Sequence, residues 1–223
     1  MAIEIELKAR LDDYETVKER LSVAGEYCRS YKKSDSYWLP AQPATGNYAN
    51  GMYAAMSVPA TGVRVRRDSG IDADGAAHES VLATYKTKEI SDGIEVNHEC
   101  EFTVSDAGLF EELLGRLGLR NSVRKEKEGW AWTIPSQTPG QSPILAELSL
   151  VAGLGWFLEI EIMAADNREP PPSLKGEGSP LEQTVEESRG RLFALLEKLD
   201  IPAEWIETRP YTVMLGAERK IRN

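Results

Sequence analysis

The sequence predicts an α+β fold that is mainly antiparallel β, with the sheet closed into a barrel and helices outside it. Three observations lead to this prediction. Most segments alternate apolar and polar residues with the period of a strand, beginning at residues 3–10. Only three segments have the spacing of an amphipathic helix. Charged residues that share a strand face also separate by sign from one strand to another, which suits an enclosed face better than an open one.

The first two elements are a strand and a helix. Residues 3–10 alternate apolar and charged side chains without a break, so one face of the strand is apolar. Residues 12–24 follow with helical spacing, with Asp12 or Asp13 as the N-cap and Gly25 as the stop.

The middle of the chain reads as consecutive hairpins followed by a helix. A strand is predicted only around Ser34 to Leu39, before a Pro-, Gly- and Asn-rich loop at residues 40–51. Strand alternation returns at 62–67, 80–88 and 94–104, with turns at 68–76 and 91–93. Ser105 or Asp106 then caps a second helix that ends at Gly118.

The last third contains further strands and one more helix. Strands are predicted at 122–134, 144–151 and 156–163. A loop at 165–180 precedes a helix from about Pro180 to Leu199. Because closed β-barrels often exceed 200 residues as one unit, we expect residues 1–223 to form a single domain.

Composition excludes several classes of function. The net charge of -10 disfavours nucleic acid and anionic membranes as partners. Two cysteines and two histidines, without metal-ligand spacing, give no zinc pattern. Nucleotide-binding glycine motifs and hydrolase elbows are missing from the sequence. The charged N-terminus and the lack of a long apolar run favour a cytoplasmic protein.

The main functional signal is the recurrence of charges two positions apart, since such residues share a strand face. A solvated sheet face is the simpler explanation for any single strand. If these faces point inward instead, acids and bases line one cavity and demand counter-charges from metal or ligand. One strand has a run of four such residues, Glu4, Glu6, Lys8 and Arg10. The other strands have pairs, which are Arg64 with Arg66, Lys86 with Lys88, Glu99 with Glu101, Lys125 with Lys127, and Glu159 with Glu161.

Such a cavity suits phosphate chemistry without histidine. Guanidinium and ammonium groups neutralise phosphate oxygens, whereas carboxylates hold Mg²⁺ or Mn²⁺. Metal and cations together stabilise the charge that develops in phosphoryl or nucleotidyl transfer.

The segment from Glu4 to Lys8 resembles the ExExK signature of the CYTH superfamily, the triphosphate tunnel metalloenzymes, which includes class IV adenylyl cyclases and thiamine triphosphatases. Other elements of the family follow in order along nearly the whole chain. They are Asp35 with Tyr37 (D-x-Y), Arg64 with Arg66 (R-x-R), Lys86, Glu99 with Glu101, Lys125 and Lys127 before Trp130, Gly153 to Glu161 (GLGxFxEIE), and Arg209, Tyr211 and Leu215 (SYxxLL).

This resemblance implies an eight-stranded closed β-barrel, the triphosphate tunnel, with roles for named residues. Catalysis would fall to Glu4, Glu6 and Lys8. Substrate binding would fall to Lys8, Tyr37, Arg64, Arg66, Lys86, Lys125 and Lys127. Metal binding, with Mg²⁺ or Mn²⁺ as cofactor, would fall to Glu4, Glu6, Glu99, Glu101, Glu147, Glu159 and Glu161.

Departures from the family pattern affect both kinds of ligand. Asn97 stands where an arginine is usual, so His98 is a candidate replacement. Ser149 stands where the family has a metal-binding Asp, and Glu147 on the same strand face is predicted to take over that role. Lys127 keeps the charge of an arginine but loses its bidentate geometry.

Three functions remain open at this level. The first is a metal-dependent triphosphatase acting on tripolyphosphate, a nucleoside triphosphate or thiamine triphosphate. The second is a class IV adenylyl cyclase that converts ATP to cyclic AMP and pyrophosphate. The third is a non-catalytic binder of triphosphate or polyphosphate. The resemblance is also compatible with a homodimer.

Overall fold

The computed structural model describes residues 2–40, 62–91, 94–164 and 180–221. Within these ranges the chain forms eight strands and four α-helices. The strands are Ala2–Leu11 (β1), Glu26–Pro40 (β2), Val63–Asp72 (β3), Ala77–Ser91 (β4), Ile94–Thr103 (β5), Leu119–Ile134 (β6), Ile144–Val151 (β7) and Gly155–Ala164 (β8). The helices are Tyr14–Ala24 (α1), Ala107–Arg116 (α2), Pro180–Lys198 (α3) and Tyr211–Ile221 (α4), with a 3-10 turn at Ala203–Trp205.

All strand pairings are antiparallel, and the order around the sheet is β1-β5-β4-β3-β2-β6-β7-β8, with β8 pairing back to β1. The α+β fold with helices outside an antiparallel sheet is therefore confirmed. Consecutive strands from β2 to β5 are neighbours, whereas β1 and β6 each join segments that are distant in sequence.

The prediction of a closed barrel needs correction at one seam. β1 forms nine residue pairs with β8 but only five with β5, from Ala2 to Glu6. Because β5 begins at Ile94, beside the partner of Glu6, the second half of β1 continues past the end of β5. There the backbone N–H of Glu207 donates to the carbonyl of Lys8 at 2.8 Å. The ring is thus closed by strand pairing over part of β1, and the C-terminal segment covers the rest.

The main hydrophobic core lies between the outer face of the sheet and two helices. On β1 the apolar residues, including Ile5 and Leu7, point outward and are fully buried. Val17 and Leu21 of α1 and four leucines of α3 and the residues just after it pack against this face. The apolar half of the alternation therefore faces the helices, which leaves the charged half on the inside of the ring.

A second apolar cluster closes one end of the ring. Tyr211 and Met214 of α4 pack on Val151, Leu154 and Phe157, where β7 turns into β8. The rings of Phe157 and Tyr211 meet edge to face at 5.1 Å. Helix α4 thus lies over the end at which β1 finishes.

Several predicted boundaries differ from the structure. The strand predicted around Ser34 to Leu39 is far too short, since β2 spans Glu26–Pro40. Its inner face carries Tyr31, Lys33 and Asp35, so an apolar period is missing although these residues are buried. The three predicted helices are confirmed, with ends within a few residues, whereas α4 was not predicted. The predicted loops at 40–51 and 165–180 lie outside the described residues, apart from their first or last residue.

No helix in the described ranges has both the length and the apolar character that a membrane crossing requires.

Candidate functional site

The inside of the ring carries acids and bases on separate groups of neighbouring strands. We call the strands β7, β8 and β1 the acidic arc and the strands β3, β2 and β6 the basic arc, because they lie side by side in the ring order. The acidic arc contributes Glu147, Glu159, Glu161, Glu4 and Glu6. The basic arc contributes Arg64, Arg66, Lys33, Lys125 and Lys127.

Asp35 is the centre of one cluster on the basic arc. Its carboxylate accepts two hydrogen bonds from Arg66, from Nε at 2.7 Å and from Nη2 at 2.9 Å, and Lys125 Nζ lies 3.1 Å away. The Tyr37 hydroxyl donates to it at 3.4 Å. Burial alone would raise the pKa of Asp35, but Arg66 and Lys125 hold that pKa well below its usual value.

A second cluster joins the basic arc to the acidic arc. Lys127 Nζ donates to Glu147 Oε2 at 2.9 Å and also to Glu159, and Lys33 Nζ donates to Glu147 Oε1. Burial opposes the charge of Glu147, but Lys127 and Lys33 keep its pKa well below the usual value. Burial likewise opposes the charge of Glu159, whose pKa Lys127 and Lys125 bring down to about 2. Both carboxylates are therefore charged near neutral pH, whereas burial lowers the pKa of Lys33 to about 8.

Another part of the acidic arc brings carboxyl groups close to one another. Glu4 and Glu6 are buried on β1, and Glu6 is directly opposite Glu161 on β8. Burial, followed by the charge of Glu4 and a hydrogen bond with it, raises the pKa of Glu161 well above its usual value. The crowding of these acids therefore favours the protonated form of Glu161, and a cation bound among them would favour its charged form.

Lys8 lies nearer the end covered by α4. Its Nζ donates to the backbone carbonyl of Arg209 at 2.8 Å and lies 4.5 Å from the centre of the Tyr211 ring. Lys125 Nζ lies 4.8 Å from the same ring. The ring of Tyr211 therefore lies within cation–π distance of two lysines that point into the ring of strands.

Arg64 is the outermost cation of the set. Its Nη2 donates to Thr84 Oγ1 at 2.9 Å, and Thr84 donates in turn to Glu101 Oε2 at 2.9 Å. Arg64 Nε is buried without a hydrogen-bond partner among the described residues. This guanidinium consequently retains a donor for a ligand that enters the ring.

The structure gathers most of the predicted site residues on the inside of the ring. The exceptions are Lys86 and Glu99, whose strands are described but whose side chains lie outside the described residues, and Glu101, which is partly exposed. Sequence reasoning missed Lys33, although its alternation with Tyr31 and Asp35 was a signal that it shares their face. Ser149 is fully buried, with no partner for its hydroxyl among the described residues.

The predicted metal ligands can be compared with this arrangement. No three His, Cys, Asp or Glu side chains in the described ranges are grouped closely enough to hold a metal ion as they stand. Glu147 and Glu159 already have lysine partners. Glu4, Glu6 and Glu161 nevertheless fit a divalent cation in charge and in donor type, because buried carboxylate oxygens are the ligands that Mg²⁺ and Mn²⁺ prefer.

The class of protein that these observations define is an antiparallel ring of strands with an acidic arc and a basic arc on its inside. The comparisons with known proteins agree. The family model of the CYTH domain matches residues 48–188, more than half of the chain. The chain belongs to the CYTH domain family, which confirms the assignment made from the sequence motifs. The matched region contains every strand of the basic arc except β2, and it excludes β1.

Solved structures share the fold at low sequence identity. The PH1819 protein of Pyrococcus horikoshii aligns with a TM-score of 0.66 and 20% identity over 96% of this chain and 99% of its own. A candidate adenylate cyclase of Vibrio parahaemolyticus aligns with a TM-score of 0.63 and 15% identity over 96% and 98%. HpAC1 of Hippeastrum, a candidate adenylyl cyclase with a dominant triphosphatase activity, aligns with a TM-score of 0.57 and 14% identity over 98% and 96%. A comparison with curated protein sequences gives no match.

Proposed function

We propose that this protein is a metal-dependent triphosphatase that binds the triphosphate group of its substrate inside the ring. The observation that carries the proposal is the concentration of five cations, three buried lysines and two largely buried arginines, on one arc opposite carboxylates on the other. Buried ion pairs contribute little net stability compared with apolar packing of the same volume. Their concentration in one place is therefore better explained by a charged ligand than by folding.

The basic arc supplies the binding step. Arg64 and Arg66 offer planar donor groups that match phosphate oxygens, and Lys125 and Lys127 add compact charges from the neighbouring strand β6. Since the whole protein carries a net charge of -10, an anion is stabilised only where such residues are concentrated. Membership of the CYTH family supports the same ligand class.

The acidic arc supplies the hydrolytic step. Glu4, Glu6 and Glu161 would hold the divalent ion, which when bound adds positive charge at the phosphate and makes a water molecule easier to deprotonate. A carboxylate oxygen of Glu4 or Glu6 takes the proton of the attacking water. The water oxygen forms a bond to the terminal phosphorus, and the bridging P–O bond breaks with its electron pair on the remaining diphosphate part. Orthophosphate and that part are the products. Lys8, on the same strand face, offsets charge on the phosphate group.

Product analysis tests the proposal. Purified protein is incubated with tripolyphosphate, ATP or thiamine triphosphate, each with Mg²⁺ or Mn²⁺, and the products are separated by chromatography. We expect orthophosphate release that falls by about 100-fold or more in Glu6→Gln, because this variant loses a carboxylate that would hold the metal and can accept the proton. Glu128→Gln, on the exposed outer face of β6, is the matched control and should keep full activity.

Two outcomes would overturn the proposal. Formation of cyclic AMP and pyrophosphate from ATP would identify an adenylyl cyclase that uses the same cations. Tight binding of tripolyphosphate without turnover of any substrate would identify a binding protein.

A further inference from the structure

Lys33 is a buried cation to which neither the sequence motifs nor the family resemblance assigned a role. It lies on the inner face of β2 with a side chain that is 5% exposed. In the strand register it is directly opposite Lys127 on β6 and two positions before Asp35. On β3 the residue opposite Lys33 is Asp68, which is paired with Arg29. Lys33 therefore has a cation opposite it on β6 and an already paired acid opposite it on β3.

Lys33 is one of two cations on the inner face of β2, and the other, Arg29, lies four positions earlier and is paired with Asp68. The other inner residues at this level of β2 are Tyr31, Asp35 and Tyr37, which carry no positive charge. Without Lys33 the stretch of β2 from Tyr31 to Tyr37 would offer only an acid and two phenols. With it, this stretch carries a buried ammonium group on the residue directly opposite Lys127.

The partners of Lys33 allow it to change ligand at low cost. Lys33 Nζ donates to Glu147 Oε1, while Glu147 Oε2 accepts from Lys127 at 2.9 Å. If Lys33 turned to another anion, Glu147 would keep Lys127 as its counter-charge. The four-carbon side chain of lysine can make such a reorientation, and Lys33 Nζ lies only 4.3 Å from the centre of the Tyr31 ring, which would continue to shield it.

We propose that Lys33 is a substrate-binding residue that donates directly to a phosphate oxygen of the bound triphosphate, with Glu147 holding it in place until the ligand enters. The proposal rests on the proposed function only in its choice of ligand, not on hydrolysis. If the Lys33–Glu147 pair served only folding, apolar side chains could replace the pair as a whole with little loss of stability. Loss of a phosphate ligand would instead weaken binding whether or not stability is kept.

The test measures tripolyphosphate binding by isothermal titration calorimetry in EDTA, so that metal and turnover play no part. We expect Lys33→Met to raise the dissociation constant by about tenfold or more. This is the usual effect of losing a hydrogen bond between charged groups. Lys33→Arg should restore most of the affinity. The matched control is Lys32→Met, because Lys32 is the next residue, is 78% exposed and points outward, and this variant should bind as the unmodified protein does.

A double variant separates binding from stability. Lys33→Met with Glu147→Leu removes both members of this ion pair and replaces them with an apolar contact. Lys127 keeps Glu159 as its counter-charge, so folding should be maintained while binding stays weak. Recovery of tight binding in this variant, or unchanged binding in Lys33→Met alone, would overturn the role of Lys33. Binding by the unmodified protein without hydrolysis would contradict only the proposed triphosphatase, whereas failure of the unmodified protein to bind tripolyphosphate would contradict both.

Discussion

Asp35 shows how a single acid can organise several cations. Its carboxylate holds the guanidinium of Arg66 in a bidentate pair and keeps Lys125 within 3.1 Å, all in buried surroundings. The Tyr37 hydroxyl lies on the same carboxylate. Removing the charge of Asp35 would therefore leave two buried cations without their main counter-charge.

We expect Asp35→Asn to lower the free energy of unfolding by about 3 kcal/mol at pH 7, since removing one partner of a buried pair leaves an uncompensated charge. Urea denaturation followed by circular dichroism measures the change. Because the folded pKa of Asp35 is depressed, its stabilisation is fully present above the unfolded pKa of about 4 and is lost as pH falls towards the folded pKa. The difference between the two proteins should therefore shrink below pH 4.

The control for this prediction is Asp200→Asn. Asp200 pairs with Arg20 at 3.1 Å, but its side chain is 83% exposed, and surface pairs of this kind contribute about 0–1 kcal/mol. Its backbone has a φ of 56°, a conformation that Asn tolerates well. Equal losses in the two variants would contradict a special role for the Asp35 cluster.

Residue periodicity predicted which side chains share a face, but it could not predict their partners. Glu4, Glu6, Arg64, Arg66, Lys125 and Lys127 were all assigned to inward faces on alternation and family motifs. Glu147 was expected to replace a metal ligand, yet in the structure it accepts from two lysines. One of them, Lys33, is 114 residues away in sequence, and no local pattern encodes that contact.

Helix α4 is the element whose role was hardest to foresee. The sequence of this segment contains the family motif of Arg209, Tyr211 and Leu215, but it does not predict a helix. The structure shows that Tyr211 is buried against Phe157, Met214 against the same cluster, and Val213 exposed at 56%. The helix forms because these contacts stabilise it, which a short segment cannot do by itself.

Two substitutions on α4 separate its packing from its helical propensity. Tyr211→Ala should lower the free energy of unfolding by about 3 kcal/mol, because it removes a large buried ring and leaves a cavity beneath Lys8 and Lys125. Val213→Ala, on the exposed side of the same helix, should change it by less than about 0.5 kcal/mol. Differential scanning calorimetry of both variants measures the effect. Similar melting temperatures would show that α4 does not pack as described.

Strand β2 illustrates the opposite difficulty at the same scale. The prediction covered Ser34 to Leu39, whereas the strand runs from Glu26 to Pro40. Strand prediction depends on an apolar face, but the inner face of β2 is polar and its outer face is only partly covered by helices. A strand that lines a charged interior and has no apolar face is therefore harder to predict from the sequence than a strand that lines an apolar core.

At the scale of the whole molecule, the ring order brings together charges that are far apart in sequence. β6 pairs with β2 and β1 pairs with β8, so the basic arc unites residues 33 to 127 and the acidic arc unites residues 4 to 161. Separation of sign by strand was visible in the sequence. The sequence does not show that strands with charges of the same sign are neighbours, because this depends on two long-range strand pairings.

This arrangement predicts that a triphosphate stabilises the folded protein as a whole. Tripolyphosphate at about 100 times its dissociation constant should add about 2.7 kcal/mol and raise the melting temperature by about 5–10 °C. The shift should decrease as salt increases, since charge attraction is screened. Arg64→Gln should reduce the shift, because this guanidinium has a buried donor available for the ligand, whereas Arg124→Gln, on the exposed face of β6, should leave it unchanged. If both variants gave the full shift, the ligand would be stabilising the protein from outside the ring, and the opposed arcs would have to be explained without a bound anion.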